Sequence, residues 1–187
     1  MSDAPFDAET LKAYAHPLRI KMYDYLLTHG SATATQLAQE LGENTGQTSY
    51  HLRILARHGL VEDDPEVTAR GRERWWRPTR KVLRMEPEVL LDPATRQASQ
   101  HVLSAVVQER AEILQNWFKT AAEAGPWLHA NVTHRATVKL APDEAKELIS
   151  QVLQTIDDFV EKREADSDSE KQRVRIYFDL LPLLEDL

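Results

Sequence analysis

No cysteine occurs among the 187 residues. Disulfides, thiolate metal sites, iron–sulfur clusters and cysteine nucleophiles are therefore excluded together, and the absence suits a reducing compartment. Glycine is scarce at six residues, and none falls in a phosphate-cradling glycine-rich loop. No apolar run approaches the ~18 residues a membrane helix needs. The acidic start Met1-Ser2-Asp3-Ala4-Pro5-Phe6-Asp7 lacks the basic and apolar regions of a signal peptide. A cytoplasmic chain with no membrane partner is expected. No serine stands in a nucleophile-elbow context, and Asp157, Asp158 and Glu161 fall on a helix face where solvated acids are ordinary. Neither catalysis nor a bound cofactor is expected.

What is present points elsewhere. Hydrophobic residues make up 42% and charged residues 28%, enough to build a core. A net charge of −7 argues against indiscriminate coating of nucleic acid, but the average hides an asymmetry. Residues 1–84 carry a net +1 and residues 85–187 a net −8. Within the first part, residues 67–84 hold Arg70, Arg72, Arg74, Arg77, Arg80, Lys81 and Arg84 against Glu73 alone. Phosphate is the usual reason to concentrate positive charge in an acidic chain.

The punctuation of the chain is readable. Asp7 to Ala15 predicts a short helix with Leu11, Tyr14 and Ala15 on one side. Pro17 disfavours helix at His16 and suits the first position of a new helix, which runs to His29 and stops at Gly30. Ile20, Tyr23 and Leu27 give that helix a buried face. Thr33-Ala34-Thr35-Gln36 fits a capping box for a third helix, with Leu37, Ala38 and Leu41 inward and Gly42 as its stop. Asn44 caps a fourth helix that ends at about His58 before Gly59, with Thr48, Leu52 and Leu55 inward. Gly59-Leu60-Val61 then predicts a strand and Glu62 to about Gly71 a polar loop. Arg72 to Arg77 returns as a second strand, stopped by Pro78. Helix, helix, tight turn, helix, β-hairpin: the order is that of a winged helix-turn-helix.

Residues 81–94, with Pro87 and Pro93, read as a linker. A long helix is expected from about Ala94 to Ala124. Its apolar residues form two adjacent stripes, Val102/Val106/Ile113/Trp117 and Leu103/Val107/Leu114/Phe118. That is wider than one contact surface requires. A dimer interface of Val102, Leu103, Val106, Val107, Ile113, Leu114 and Trp117 is expected from it. Trp117, Phe118 and Trp127 would line any apolar effector pocket, although a packed dimer core accounts for them better. Arg135 to Leu140 alternates as a strand. Pro142 opens a helix with Ala145, Leu148, Ile149, Val152, Ile156, Phe159 and Val160 on one face, and Arg173 to Phe178 alternates again. The expected fold is mainly α (α+β), with a DNA-binding domain over 1–84. Residues 85–187 form a dimerisation and effector domain that contains a small strand–helix–strand unit.

In a helix-turn-helix the second helix lies in the major groove and its N-terminal residues reach base edges. Here those positions are Thr45, Gly46, Gln47, Ser49, Tyr50 and His51, with Arg53 one turn on, so a recognition helix over about 45–58 is expected. Gln can bond adenine in a bidentate manner, and His51 is read as bonding a phosphate or a neighbouring backbone group. The hairpin, about 62–77, brings Arg70, Arg72, Arg74 and Arg77 towards the adjacent backbone or minor groove. Its acids Glu62, Asp63, Asp64 and Glu66 are expected to face away from DNA. Of the adjacent Trp75 and Trp76, one should join the core.

Leu37-Ala38-Gln39-Glu40-Leu41-Gly42, Ser49-Tyr50-His51-Leu52-Arg53-Ile54-Leu55 and Gly59-Leu60-Val61 together resemble the ArsR-type (arsenic-repressor-like) winged-helix regulators. Ala15-His16-Pro17-Leu18-Arg19 resembles the segment that opens their first core helix, and the resemblance covers about residues 10–80. It implies a homodimeric regulator on double-stranded operator DNA, usually a repressor released by a small-molecule effector, with terminal helices at the dimer interface. The chain departs from the metal-sensing members. It has no cysteine, and His101 is followed by Glu112 with no second histidine on that helix. His129 and His134 read as surface residues, so no metal is expected. The alternative is a winged-helix protein-interaction module without DNA binding, which suits the acidic second half and the acidic hairpin tip.

Overall fold

The starts of the first four helices are set by side-chain caps. The computed structural model describes residues 6–68, 73–79, 87–162 and 171–183. Asp7 accepts the N–H of Thr10 at 2.8 Å and opens α1, Ala8–Tyr14. His16 does the same for Leu18 and opens α2, Pro17–His29, with proline at the first helical position as predicted. Thr33 and Gln36 form the reciprocal capping box of α3, Ala34–Leu41. Asn44 accepts the N–H of Gln47 at 2.9 Å and opens α4, Thr45–Arg57. Gly42 follows α3 at φ 68° and Gly59 follows α4 at φ 66°, the left-handed conformation that only glycine adopts cheaply.

The inner faces of these helices close one core. Leu11, Tyr14, Met22, Tyr23, Leu26, Leu37, Leu52, Leu55, Leu60 and Val61 are buried together. Tyr14 stands edge-on to Phe6 and Tyr23, with centroids 5.6 and 5.5 Å apart. A three-stranded antiparallel sheet closes one side in the order β1–β3–β2. Its strands are β1, Ala32–Thr33, β2, Val61–Asp63, and β3, Trp75–Pro78. The predicted hairpin is β2–β3. The two-residue β1 was not anticipated, being too short to show alternation. It pairs Ala32 with Trp76 and Thr33 with Trp75, so the strand ends where the capping box begins. Trp76 enters the core and Trp75 is half-buried. A short helix α5, Pro65–Thr68, occupies part of the expected polar loop.

After α6, Pro87–Leu91, the long helix α7 spans Arg96–Thr120 and continues into 3-10 turns over Ala121–Glu123 and Gly125–His129. α7 packs on α1 and α2, and Val102 is fully buried in the core already described. That packing moves the division of the chain. The compact units are Met1–His129 and Ala130–Leu187, so α7 goes with the N-terminal core and not with residues 130–187.

The second unit contains α8, Pro142–Glu161, whose start is held by Glu144 accepting the Ala141 N–H at 2.7 Å. The strands expected at 135–140 and 173–178 do not form, and none of this unit's described residues is fully buried. Val138, Val174 and Ile176 alternate as strand residues should but stay exposed. Two isolated strands cannot bury an apolar face, and alternation alone does not supply a pairing partner.

Two stability measurements check this account. Leu52→Ala empties a fully buried site, with an expected cost of about 2–5 kcal/mol in chemical denaturation. Thr33→Ala removes one half of the capping box, with an expected cost of about 0.5–2 kcal/mol.

Candidate nucleic-acid interface

α4 presents two faces because its inner one is fixed. Thr48, Leu52 and Leu55 are fully buried, and the Thr48 hydroxyl donates to the Ala34 carbonyl at 2.8 Å. This bond joins the first turns of α3 and α4 and sets the angle of the helix pair. The opposite face is open. Thr45, Gly46, Gln47, Tyr50 and Arg53 are exposed and Ser49 is half-buried. Tyr50 is 59% exposed, a high value for an aromatic ring on an ordered helix. A Cβ on Gly46 would come within 3.2 Å of the capping Asn44 Oδ1, so glycine here also protects the helix start.

His51 differs from its expected place on the outer face: it is 8% exposed. Its Nδ1 lies 3.4 Å from Nη1 of Arg19, and its ring centroid is 4.5 Å from that of His16. Arg19 reaches from α2 to the Ala13 and Lys12 carbonyls at the end of α1. His51 thus ties α4 to the start of α2. Burial, then His16 and Arg19, lower its pKa against a smaller opposing pull from Glu43. Burial and then Arg19 lower that of His16. Sequence reading did not connect His16 and Arg19 to this surface. Their partner lies more than thirty residues away in the chain, and no local pattern encodes that contact. A cavity of about 300 Å³ beside them is lined by residues that include His16, Lys21, Glu43, Gln47 and His51.

On the hairpin, Arg70 and Arg72 lie outside the described residues. Arg74 and Arg77 are present, but the expected separation of acids from arginines does not hold. The register sets Glu62 opposite Arg77 and Asp63 opposite Trp76. Arg77 contacts Glu62 at 2.8 Å, and Arg74 contacts Asp63 at 3.3 Å while lying 4.0 Å over the Trp76 ring. Asp64 is buried and accepts the Ser31 hydroxyl, so it serves the fold. Antiparallel pairing brings the two strands of a hairpin side by side, which the linear charge pattern cannot show.

The stripes on α7 also divide. Val102 is inside the core and Val106 packs against it, so Val102 is not a dimer surface. Leu103, Val107 and Ile113 are exposed, as is Phe118, while Leu114 and Trp117 are half-buried. Ile113 and Trp117 line an open groove of about 380 Å³ with Glu112, Asn116 and Thr120. Among the described residues no three His, Asp or Glu side chains are gathered to hold a metal ion, and no helix is long and apolar enough to cross a membrane.

Residues 14–64, from the end of α1 through β2 and its following residue, match the helix-turn-helix domain family. The matched stretch carries the motifs that resemble the ArsR type, and the fold built on it is the winged helix-turn-helix that this resemblance implies. Similar solved structures include a possible transcriptional regulator for arsenical resistance, 26% identical, with 52% of this chain and 83% of that chain covered and a TM-score of 0.33. Another is the homodimeric winged helix-turn-helix DNA-binding domain of a possible ArsR-family transcriptional regulator from Mycobacterium bovis. It is 25% identical, with 55% of this chain and 77% of that chain covered and a TM-score of 0.36. No curated protein matches the chain.

The bond between the two helix starts can be tested without any ligand. Thr48→Val keeps the side-chain volume and removes the hydroxyl, with an expected loss of about 0.5–1.5 kcal/mol in denaturant unfolding.

Proposed function

We propose that this chain, a winged helix-turn-helix regulator of transcription of the ArsR type, acts as a homodimeric repressor on double-stranded operator DNA. Each α4 enters one major groove, and the half-sites follow the two-fold symmetry of the dimer. The observation that carries this reading is the division of α4. One face is anchored by Thr48, Leu52 and Leu55, and the other offers Thr45, Gly46, Gln47, Ser49, Tyr50 and Arg53 along its first turns. Gln47 can pair with an adenine edge, and Tyr50 and Arg53 can bond base edges or phosphate. The hairpin follows the adjacent backbone with Arg70, Arg72, Arg74 and Arg77. Arg74 and Arg77 already face Asp63 and Glu62, so part of their charge is locally balanced.

The outward stripe Leu103, Val107, Ile113, Leu114 and Trp117 supplies the dimer contact in this reading. It is apolar, continuous along α7 and fixed to the DNA-binding core by Val102 and Val106. A change in α7 packing would therefore alter the separation of the two α4 helices, which is how an effector acting on residues 85–187 would release the operator.

Fluorescence anisotropy against salt, on the duplex upstream of the chain's own gene and on a scrambled duplex of equal length, tests the reading. Specific binding should be tight on the first, weak on the second and steeply salt-dependent. Failure of both duplexes at low salt would favour the protein-interaction alternative. Gln47→Ala should lose about 1–3 kcal/mol of discrimination between the duplexes while leaving scrambled binding nearly intact. Arg53→Ala should reduce the salt slope by about 1, whereas Arg77→Ala should reduce it by less, its charge being shared with Glu62. Val107→Asp, at a position 67% exposed, should yield monomers in sedimentation without loss of helical content.

A further inference from the structure

We propose that His16, Arg19 and His51 form a proton-sensitive latch that holds α4 in its DNA-reading position only while both imidazoles are neutral. The proposal rests on the DNA-binding reading for its consequence, but not for the latch itself.

The geometry assigns both rings an acceptor role. His16 Nδ1 receives the Leu18 N–H at 3.2 Å and so caps α2. His51 Nδ1 faces Arg19 Nη1 at 3.4 Å, and a guanidinium can only donate. Each ring must therefore carry its proton on Nε2. A second proton, on Nδ1 of either ring, would abolish that ring's bond. It would also set a cation at the positive N-terminal end of α2 in the one case and against a guanidinium in the other. The rings lie only 4.5 Å apart, so protonating one opposes protonating the other.

The surroundings mostly reinforce this. From α2, Arg19 and Lys21 present positive charge, and Arg19 is held by the Ala13 and Lys12 carbonyls of α1. Between α3 and α4, Glu43 is the one carboxylate among the described residues acting on His51, and its pull is the smallest of the influences on that ring. From α4, Tyr50 stands edge-on to His51 with centroids 5.2 Å apart. Burial first, then Arg19 for His16, and His16 and Arg19 for His51, lower the pKa of both histidines below the ordinary value. The sign follows. Above about pH 6.5 the rings are neutral folded or unfolded, and the latch contributes fully. As pH falls below that value the unfolded chain takes up protons first, and stability is lost towards the lower folded-state values. Histidines lying free against phosphate would act in the opposite sense and tighten DNA binding in acid.

The test uses the full-length wild type beside His16→Asn/His51→Gln. Asn still caps α2 and Gln still accepts from Arg19, but neither takes up a proton. Where the double variant does not fold, His16→Asn alone replaces it. Thermal unfolding and anisotropy on the upstream duplex are both followed from about pH 7.5 to about pH 5.5, a range that brackets the ordinary histidine value. The wild type should lose Tm and several-fold DNA affinity over this range, and the variant should lose much less of each. Equal pH profiles in the two proteins, or wild-type binding that tightens in acid, would overturn the proposal. If no duplex binds at any pH, the DNA reading fails. The latch then stands or falls on whether the acid loss of Tm is smaller in the variant.

Discussion

The structure turns on a requirement placed on α4, which must be held firmly on one side and left unencumbered on the other. Leu52 and Leu55 meet the first half by burial, and Thr48 adds direction, because a hydroxyl bond to the Ala34 carbonyl fixes rotation as well as depth. Once that face is fixed, the i, i+4 geometry of a helix leaves no choice about where Gln47, Tyr50 and Arg53 point. The capping box of α3, the left-handed Gly42 and the Asn44 cap serve the same end, since each sets the backbone direction in the turn between the helices.

α7 extends this constraint outward. One helix contributes Val102 to the core and Leu103 and Val107 to the surface, and so joins its outer stripe to α1 and α2. The His16–Arg19–His51 contact couples in the other direction, from the end of α1 through α2 into α4. Both are short paths made of packed or bonded groups.

The hairpin shows how a charge pattern can mislead when taken in sequence order. Seven basic residues close together suggest a positive arm, but antiparallel pairing sets Glu62 against Arg77 and brings Asp63 to Arg74. Surface pairs of this kind add little to stability. They do determine how much positive potential remains for a phosphate, and in which direction the guanidinium groups are aimed.

Much of the architecture was legible in the residues themselves. Pro17, the Thr33–Gln36 box, Gly42, Asn44 and Gly59 act on backbone conformation within a few residues, so the starts and stops of α2, α3 and α4 follow from local chemistry. The inner face Thr48/Leu52/Leu55 was legible for a similar reason, because helical period is a property of the chain and not of its partners. What the tertiary structure alone decided depends on contacts between distant segments. His51 is drawn inward by Arg19 and His16, and the two residues of β1 become a strand only against Trp75 and Trp76. Val102 is claimed by the protomer's own core, and the alternating segments after His129 find no strand partner. Local chemistry sets where an element begins and which way it faces; which neighbour it faces is settled only when the whole core closes.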